Sequence, residues 1–194
     1  MISKGNKKTG IPSFSIHNTV CKNIRGCQAQ DCFKYCYANK AIRMYPQTRA
    51  LYARNLDATF KDNFVSLMNE ELQDYPIRYF RIHVCGEFYS QDYLNKWFQI
   101  ATKNPEITFF TYTKNIDLDF SLRPDNMVIH LSNDNNLKEF SDNKDRFDGM
   151  TTIKEKGEDT PKEFTGCLNQ TQGFTCARCK LCTKKDTNVC FIKH

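Results

Sequence analysis

The stretch that decides the fold reads Ile77-Arg78-Tyr79-Phe80-Arg81-Ile82-His83-Val84-Cys85-Gly86-Glu87, then Ser90 to Ala101, then Ile107-Thr108-Phe109-Phe110-Thr111-Tyr112. The first run is rich in β-branched and aromatic residues and predicts a strand ending at Gly86-Glu87. Ser90 is suited to cap a helix, and Tyr93, Leu94, Trp97, Phe98 and Ala101 fall on one of its faces. Asn104-Pro105 stops that helix, and the third run predicts another strand. Strand, helix and strand in this order make a βαβ unit, whose two strands lie parallel.

Working outward, Pro12 to His17 alternates as a short strand does, and Met127 to Leu131 predicts one more. Between Pro46 and about Gln73, Leu51, Leu56, Phe60, Phe64, Leu67, Met68 and Leu72 recur at helical spacing with no internal Gly or Pro. With 194 residues there are too few such units for an eight-stranded barrel, which takes about 200 residues or more. The expectation is an α/β fold: a partial (β/α) barrel of about four to six mostly parallel strands with a cysteine-rich C-terminal extension. Residues 154–163, rich in Lys, Glu and Asp, read as a linker, which divides the chain into 1–153 and 154–194.

In an open parallel sheet the site lies at the carboxyl ends of the strands. That rule gathers a first cysteine loop, Gly86-Glu87, Thr113-Lys114 and Ser132-Asn133 on one rim. A carboxylate at a strand end beside a glycine, as Glu87 is, points to function, and Lys114 stands at the next strand end. These two are the candidate catalytic residues. Gly86, Glu87, Thr113, Ser132 and Asn133 are candidates for holding a cofactor. His83, His17, His130 and Trp97 are expected to pack rather than to react.

Ten cysteines are the loudest feature, and in a reducing compartment they point to metal or redox chemistry. Cys21, Cys27, Cys32 and Cys36 form one group, spaced by five, four and three residues. Cys167, Cys176, Cys179, Cys182 and Cys190 form another. Zinc sites favour close pairs separated by a longer stretch, whereas the iron atoms of a cluster are spread out and accept wider gaps. Cys176-x2-Cys179-x2-Cys182 matches the first three ligands of a ferredoxin cluster loop, with Cys167 or Cys190 as the fourth. The expected cofactors are one or two [4Fe–4S] clusters, with zinc as the alternative at the C-terminal site. Cys85, at the rim, is open to three readings, a ligand, a reactive thiol or packing, and is read as packing or as a support behind the site.

Charge is uneven. Residues 1–54 carry net +9, residues 55–152 net −6 and residues 153–194 net +3. Both cysteine-rich ends are basic, which suits either the offset of an anionic metal centre or contact with nucleic acid. In the N-terminal region Tyr35, Tyr37, Tyr45 and Tyr52 are interleaved with the cations, a pattern suited to stacking on bases. No apolar run approaches the roughly 18 residues that span a bilayer, and Met1 to Lys8 has no apolar stretch behind its charges. The expectation is a cytoplasmic protein with no membrane partner. No phosphate-binding glycine loop, paired-carboxylate motif or serine elbow argues for hydrolysis.

A cysteine loop after a first strand, an aromatic before its last cysteine (Tyr35-Cys36) and a Gly-Glu pair ending the next strand resemble radical S-adenosylmethionine enzymes. The resemblance implies a [4Fe–4S] cluster on three loop cysteines, Cys32 and Cys36 matching the end of the loop. It further implies S-adenosylmethionine on the fourth iron, the cofactor's amino group at Gly86-Glu87, Tyr35 beside it, and an external electron donor. The loop departs from the usual Cys-x3-Cys-x2-Cys, and Cys85 stands where a glycine is usual. The chain also resembles the phage-associated gene product 88 family almost end to end. The match rests on Phe14-Ser15-Ile16, Cys32 to Ala38, Arg81-Ile82-His83, Gly86 to Ser90 before Tyr93 and Trp97, Thr111 to Lys114, the closing cysteines, and Phe191 to His194. That resemblance implies the cytoplasm of an infected or prophage-bearing host cell, and supplies no substrate.

Overall fold

The computed structural model describes residues 1–5 and 9–193; Lys7, Lys8 and His194 lie outside them, as does the side chain of Tyr35. Among the described residues seven strands form one sheet in the order β1-β2-β3-β4-β5-β7-β6, and each pairing between neighbours is parallel. The strands are β1 (Ser13–Phe14), β2 (Tyr79–Ile82), β3 (Thr108–Thr113), β4 (Met127–Ser132), β5 (Gly149–Lys154), β6 (Thr165–Gly166) and β7 (Val189–Ile192). Sequential order over the first five strands, with helices in every connection except that from β3 to β4, is that of a partial (β/α) barrel. β7 pairs with β5 through Thr151↔Val189 and Thr152↔Cys190. The segment after residue 153 therefore adds two strands to the same sheet, which takes the strand number above six.

The helices are α1 (Arg25–Ala29), α2 (Cys32–Tyr35), α3 (Tyr37–Met44), α4 (Pro46–Thr59), α5 (Phe64–Gln73), α6 (Gln91–Lys103), α7 (Lys138–Asp142), α8 (Leu168–Gln172) and α9 (Cys176–Cys179). Ser90 caps α6 as its position predicts, its Oγ accepting from the Tyr93 N–H at 3.2 Å. The helical periodicity of 46–73 is split between α4 and α5, and Phe60 at the break is 63% exposed. One unbroken helix of that length would run about 42 Å, roughly twice the ~20 Å of a six-residue strand. Turning at Lys61-Asp62-Asn63 instead brings Phe64, Met68 and Leu72 back onto the sheet, where all three are buried.

Strand alternation divides the core in two. Phe14, Phe80, Ile82, Phe109, Met127, Ile129 and Leu131 face α4, α5 and α6. Trp97 is the hub, its ring 5.3 Å from Phe14, 5.8 Å from Phe64 and 6.1 Å from Phe80. Phe110, Val128, Tyr79 and Tyr112 face the other way, and Ile11, Cys176, Ala177 and Cys182 cover them. The face turned away from α4, α5 and α6, which in a barrel is the inside, is thus closed by the C-terminal cysteine segment, α9 included.

Candidate functional site

The first cysteine loop docks on the carboxyl ends of β3 and β4. Gly26 in α1 lies so close to the end of β3 that a Cβ there would stand 1.8 Å from the Lys114 carbonyl oxygen. Gln30, buried, donates from Nε2 to the Ser132 carbonyl at 3.0 Å and accepts at Oε1 from the Asp134 N–H at 2.7 Å. Arg25 pairs with Asp117 at 2.6 Å and with Glu139 on the exposed side. The rim expected from the strand-end rule is therefore assembled: the cysteine loop, Gly86-Glu87, Thr113-Lys114 and Ser132-Asn133 meet there.

Within the loop the cysteines divide. Cys21 and Cys27 are buried together with Ile24, and Cys32 packs against them. Cys27 interacts with both of its neighbours: Cys21 and, less strongly, burial and Glu87 hold its thiol above the ordinary range, while Cys32 works against them. Cys32 is raised by Cys27 and by burial, and Lys114 opposes both. Cys36 lies instead with Cys85, Ala38, Ile42 and Tyr52. Burial, then Cys36, pushes the Cys85 thiol up to about 12. Among the described residues no three Cys, His, Asp or Glu side chains stand where they could ligate a single ion as placed. The donor chemistry, three neighbouring soft thiols, fits an iron–sulfur cluster or zinc.

Glu87 is buried, and its carboxylate accepts three hydrogen bonds. The Phe88 N–H and the Thr113 hydroxyl donate to Oε1, each at 2.8 Å, and the Lys114 N–H donates to Oε2 at 2.7 Å. Burial raises its pKa against the pull of these donors. Of about four acceptor sites on a carboxylate, one is left. Gly86 has φ +101°, and a Cβ there would stand 2.3 Å from Ile16 Cγ1, so only glycine lets β2 turn toward Glu87 at this close approach.

Lys114 is engaged as well. Its Nζ donates to Ser132 Oγ at 2.6 Å and pairs with Asp134 at 2.8 Å. Burial works to lower its pKa, but Asp134, Cys32 and Cys27 reverse this and keep it an ammonium. Asn133 has a structural use that the sequence reading did not see. Its Oδ1 accepts from the Leu137 N–H at 2.8 Å and its Nδ2 donates to the Leu137 carbonyl at 3.1 Å, fixing the turn into α7. Gln30 and Asp134 were missed, because a lone polar residue in a loop gives no periodic signal.

His83 and His130 pack in the interior, whereas the half-buried His17 caps the turn that follows it, its Nδ1 accepting from the Thr19 N–H at 3.3 Å. His83 Nε2 meets the Tyr93 hydroxyl at 2.8 Å, and burial, with the charge of Arg81, lowers its pKa to about 3. His130 Nε2 meets the Cys182 carbonyl at 3.0 Å.

In the C-terminal group, Cys167, Cys176, Cys179 and Cys182 line one cavity with Arg81 and Tyr112. Cys190 does not join them. It alternates on β7 with Val189 and Phe191, which line the cavity, so its own side chain is turned to the opposite face.

A family model for gene product 88 matches residues 2–190. The chain belongs to the gene product 88 family. Among its members, the Gene 88 protein of Mycobacterium phage L5 is 26% identical over 193 residues, covering 82% of this chain and 78% of its own length. The Gene 88 protein of Mycobacterium phage D29 is 25% identical with the same coverage. No solved structure matches the chain. Among the described residues no helix is long and apolar enough to cross a membrane.

Proposed function

We propose that this gene product 88 protein is an iron–sulfur protein of the radical S-adenosylmethionine type, with its reaction centre at the carboxyl rim of the sheet. The observation that carries the reading is the grouping of Cys21, Cys27 and Cys32 on that rim beside Glu87 and Lys114. Those three thiols would hold the cluster. Bound there, such a cluster would supply the single electron for reductive cleavage of S-adenosylmethionine. The chain's own part is to position and to exclude water. Gly86 lets β2 turn close to the loop. Glu87 ties β2 to the end of β3 and keeps one acceptor site for a cationic amino group. Ser132 and Asp134 hold Lys114 as a fixed positive charge facing Cys32. An external electron donor is required. Supplying dithionite and S-adenosylmethionine to anaerobically purified protein should yield 5′-deoxyadenosine, and Cys27→Ser should abolish it. No product from a protein with full iron and sulfide would overturn the reading.

A second reading rests on its own observation. Residues 34–54 hold five Lys or Arg and no acidic residue. On α3 and the start of α4, Met44 and Tyr45 are exposed beside exposed Lys40, Arg43 and Arg49, while the Tyr37 hydroxyl turns in to the Val84 carbonyl. Such a ridge suits single-stranded nucleic acid, through phosphate contacts and stacking. Tyr52 is partly buried against Cys36 and Cys85 and takes no part. Anisotropy with a labelled oligonucleotide should show binding that weakens steeply with salt; a flat titration at low salt removes this reading.

A further inference from the structure

We propose that Cys167, Cys176, Cys179 and Cys182 bind a thiophilic metal centre on the face of the sheet turned away from α4, α5 and α6, with Arg81 as its counter-charge and Cys190 excluded. This site is separate from the rim and stands or falls independently of the reaction proposed there.

The first support is placement. The sulfurs do not converge on one point as placed, but the four cysteines come from three turns and line a single cavity of about 70 Å³, well below the roughly 300–1,000 Å³ of small-molecule pockets. Side-chain rotation within that cavity is what would gather them. The cavity has the scale of a metal centre rather than of a nucleoside. Each thiol-bearing turn is held by bonds that do not involve the metal. The Cys167 N–H donates to the Cys190 carbonyl at 2.9 Å, and the Ala177 N–H to the Thr9 carbonyl at 3.1 Å. Thr175 caps α9, its Oγ accepting from the Arg178 N–H at 3.3 Å. Lys180, at φ +57°, turns the chain back, and the Cys182 carbonyl is held by His130 from β4.

The second support is charge. Arg81 stands on β2 and lines the same cavity. Its Nε is buried without a hydrogen-bond partner, and among the described residues no carboxylate pairs with it. The groups that bear on its charge are Tyr37, Tyr112, Cys182 and Cys176, and its guanidinium lies 5.0 Å over the Tyr112 ring. Neutral thiols and phenols leave that cation uncompensated. Four thiolates around a divalent metal, or around a cluster, leave a net negative centre that offsets it. Binding releases the thiol protons to solvent and places metal–sulfur bonds where the S–H bonds were. The centre would staple the extension over the face of the sheet turned away from α4, α5 and α6.

The test uses full-length, anaerobically purified protein. Iron, zinc and acid-labile sulfide are measured, and every cysteine is followed by alkylation and mass spectrometry before and after a strong chelator. The proposal expects Cys167, Cys176, Cys179 and Cys182 to be protected at first and then to become reactive together as metal leaves. Cys190, buried in the sheet, should lag until the protein unfolds. Cys179→Ser should lose metal and Cys190→Ser should keep it. Arg81→Leu should release metal about tenfold faster, while Arg81→Lys, which keeps the charge, should stay near wild type. Iron with sulfide identifies a cluster and zinc without sulfide a single ion; either supports the site. Four thiols reactive from the outset, or equal metal loss in Cys190→Ser and Cys179→Ser, would overturn it. Unchanged release in Arg81→Leu would remove the counter-charge.

Discussion

Replacing Gly26 with alanine tests how the cysteine loop is seated. The new Cβ would stand 1.8 Å from the Lys114 carbonyl oxygen and 2.9 Å both from its carbon and from Phe140 Cζ. Non-bonded carbon contacts are comfortable near 3.5 Å, so relief requires α1 to move about 1.5 Å from the end of β3. The carbonyl cannot swing aside cheaply, because the Asn115 N–H of the same peptide plane is bound to Thr113 Oγ1 at 3.0 Å, and Lys114 itself is held by Glu87, Ser132 and Asp134. Overpacking of this kind costs about 1–3 kcal/mol, against a helix-propensity gain of at most about 1 kcal/mol. Thermal or chemical denaturation should therefore show Gly26→Ala to be destabilised. Because Cys27 follows directly, alkylation of Cys21, Cys27 and Cys32 should become faster in the folded protein, while Cys167, Cys176, Cys179 and Cys182 keep their wild-type rates. A variant as stable as wild type, with unchanged thiol reactivity, would refute the docking argument.

Three other perturbations follow from the same geometry. His83 is held neutral, with its pKa lowered to about 3 by burial and Arg81, whereas an unfolded imidazole titrates near 6.5. Its contribution to stability is complete above about pH 6.5 and falls by about 1.4 kcal/mol per pH unit on the acid side, where only the unfolded chain takes up the proton. His83→Asn, which tolerates the native φ of +62°, should flatten that limb of a pH–stability curve; identical slopes would rule the account out. Trp97→Ala removes the hub between the helices and four aromatic rings of the core and should cost about 3–5 kcal/mol in denaturant unfolding. A cost below 1 kcal/mol would mean that the core is not centred there. Gly86→Ala combines a positive φ with a 2.3 Å approach to Ile16 Cγ1 and should destabilise more than Gly173→Ala, whose Cβ meets nothing within 4 Å. The reverse order in a melting comparison would contradict the close approach.

The elements legible in the sequence are those whose signal is local. Ser90, the apolar face from Tyr93 to Ala101 and the stop at Asn104 define α6 without reference to the rest of the chain. The runs around Phe80, Phe109 and Ile129 are buried on one or both faces and read as strands for that reason. β6, two residues long, and β7, beyond the linker, owe their form to pairing with distant partners, which no window of sequence contains. The break at residues 60–63 is likewise set by the width of the sheet. The rim was legible because strand ends in a parallel sheet share a side, but the use of each side chain there was not. Asn133 is spent on the turn into α7, and Glu87 on three donors. Cys190 matched the C-terminal group by spacing alone, and strand alternation separates it from the others.

The central claim concerns the rim, and the most direct measurement is electron paramagnetic resonance of the dithionite-reduced, anaerobically purified protein before and after adding S-adenosylmethionine, alongside iron and sulfide content. The account predicts a cluster signal, lost in Cys27→Ser, that changes when S-adenosylmethionine binds. Zinc without sulfide, or a cluster signal indifferent to S-adenosylmethionine, would contradict it.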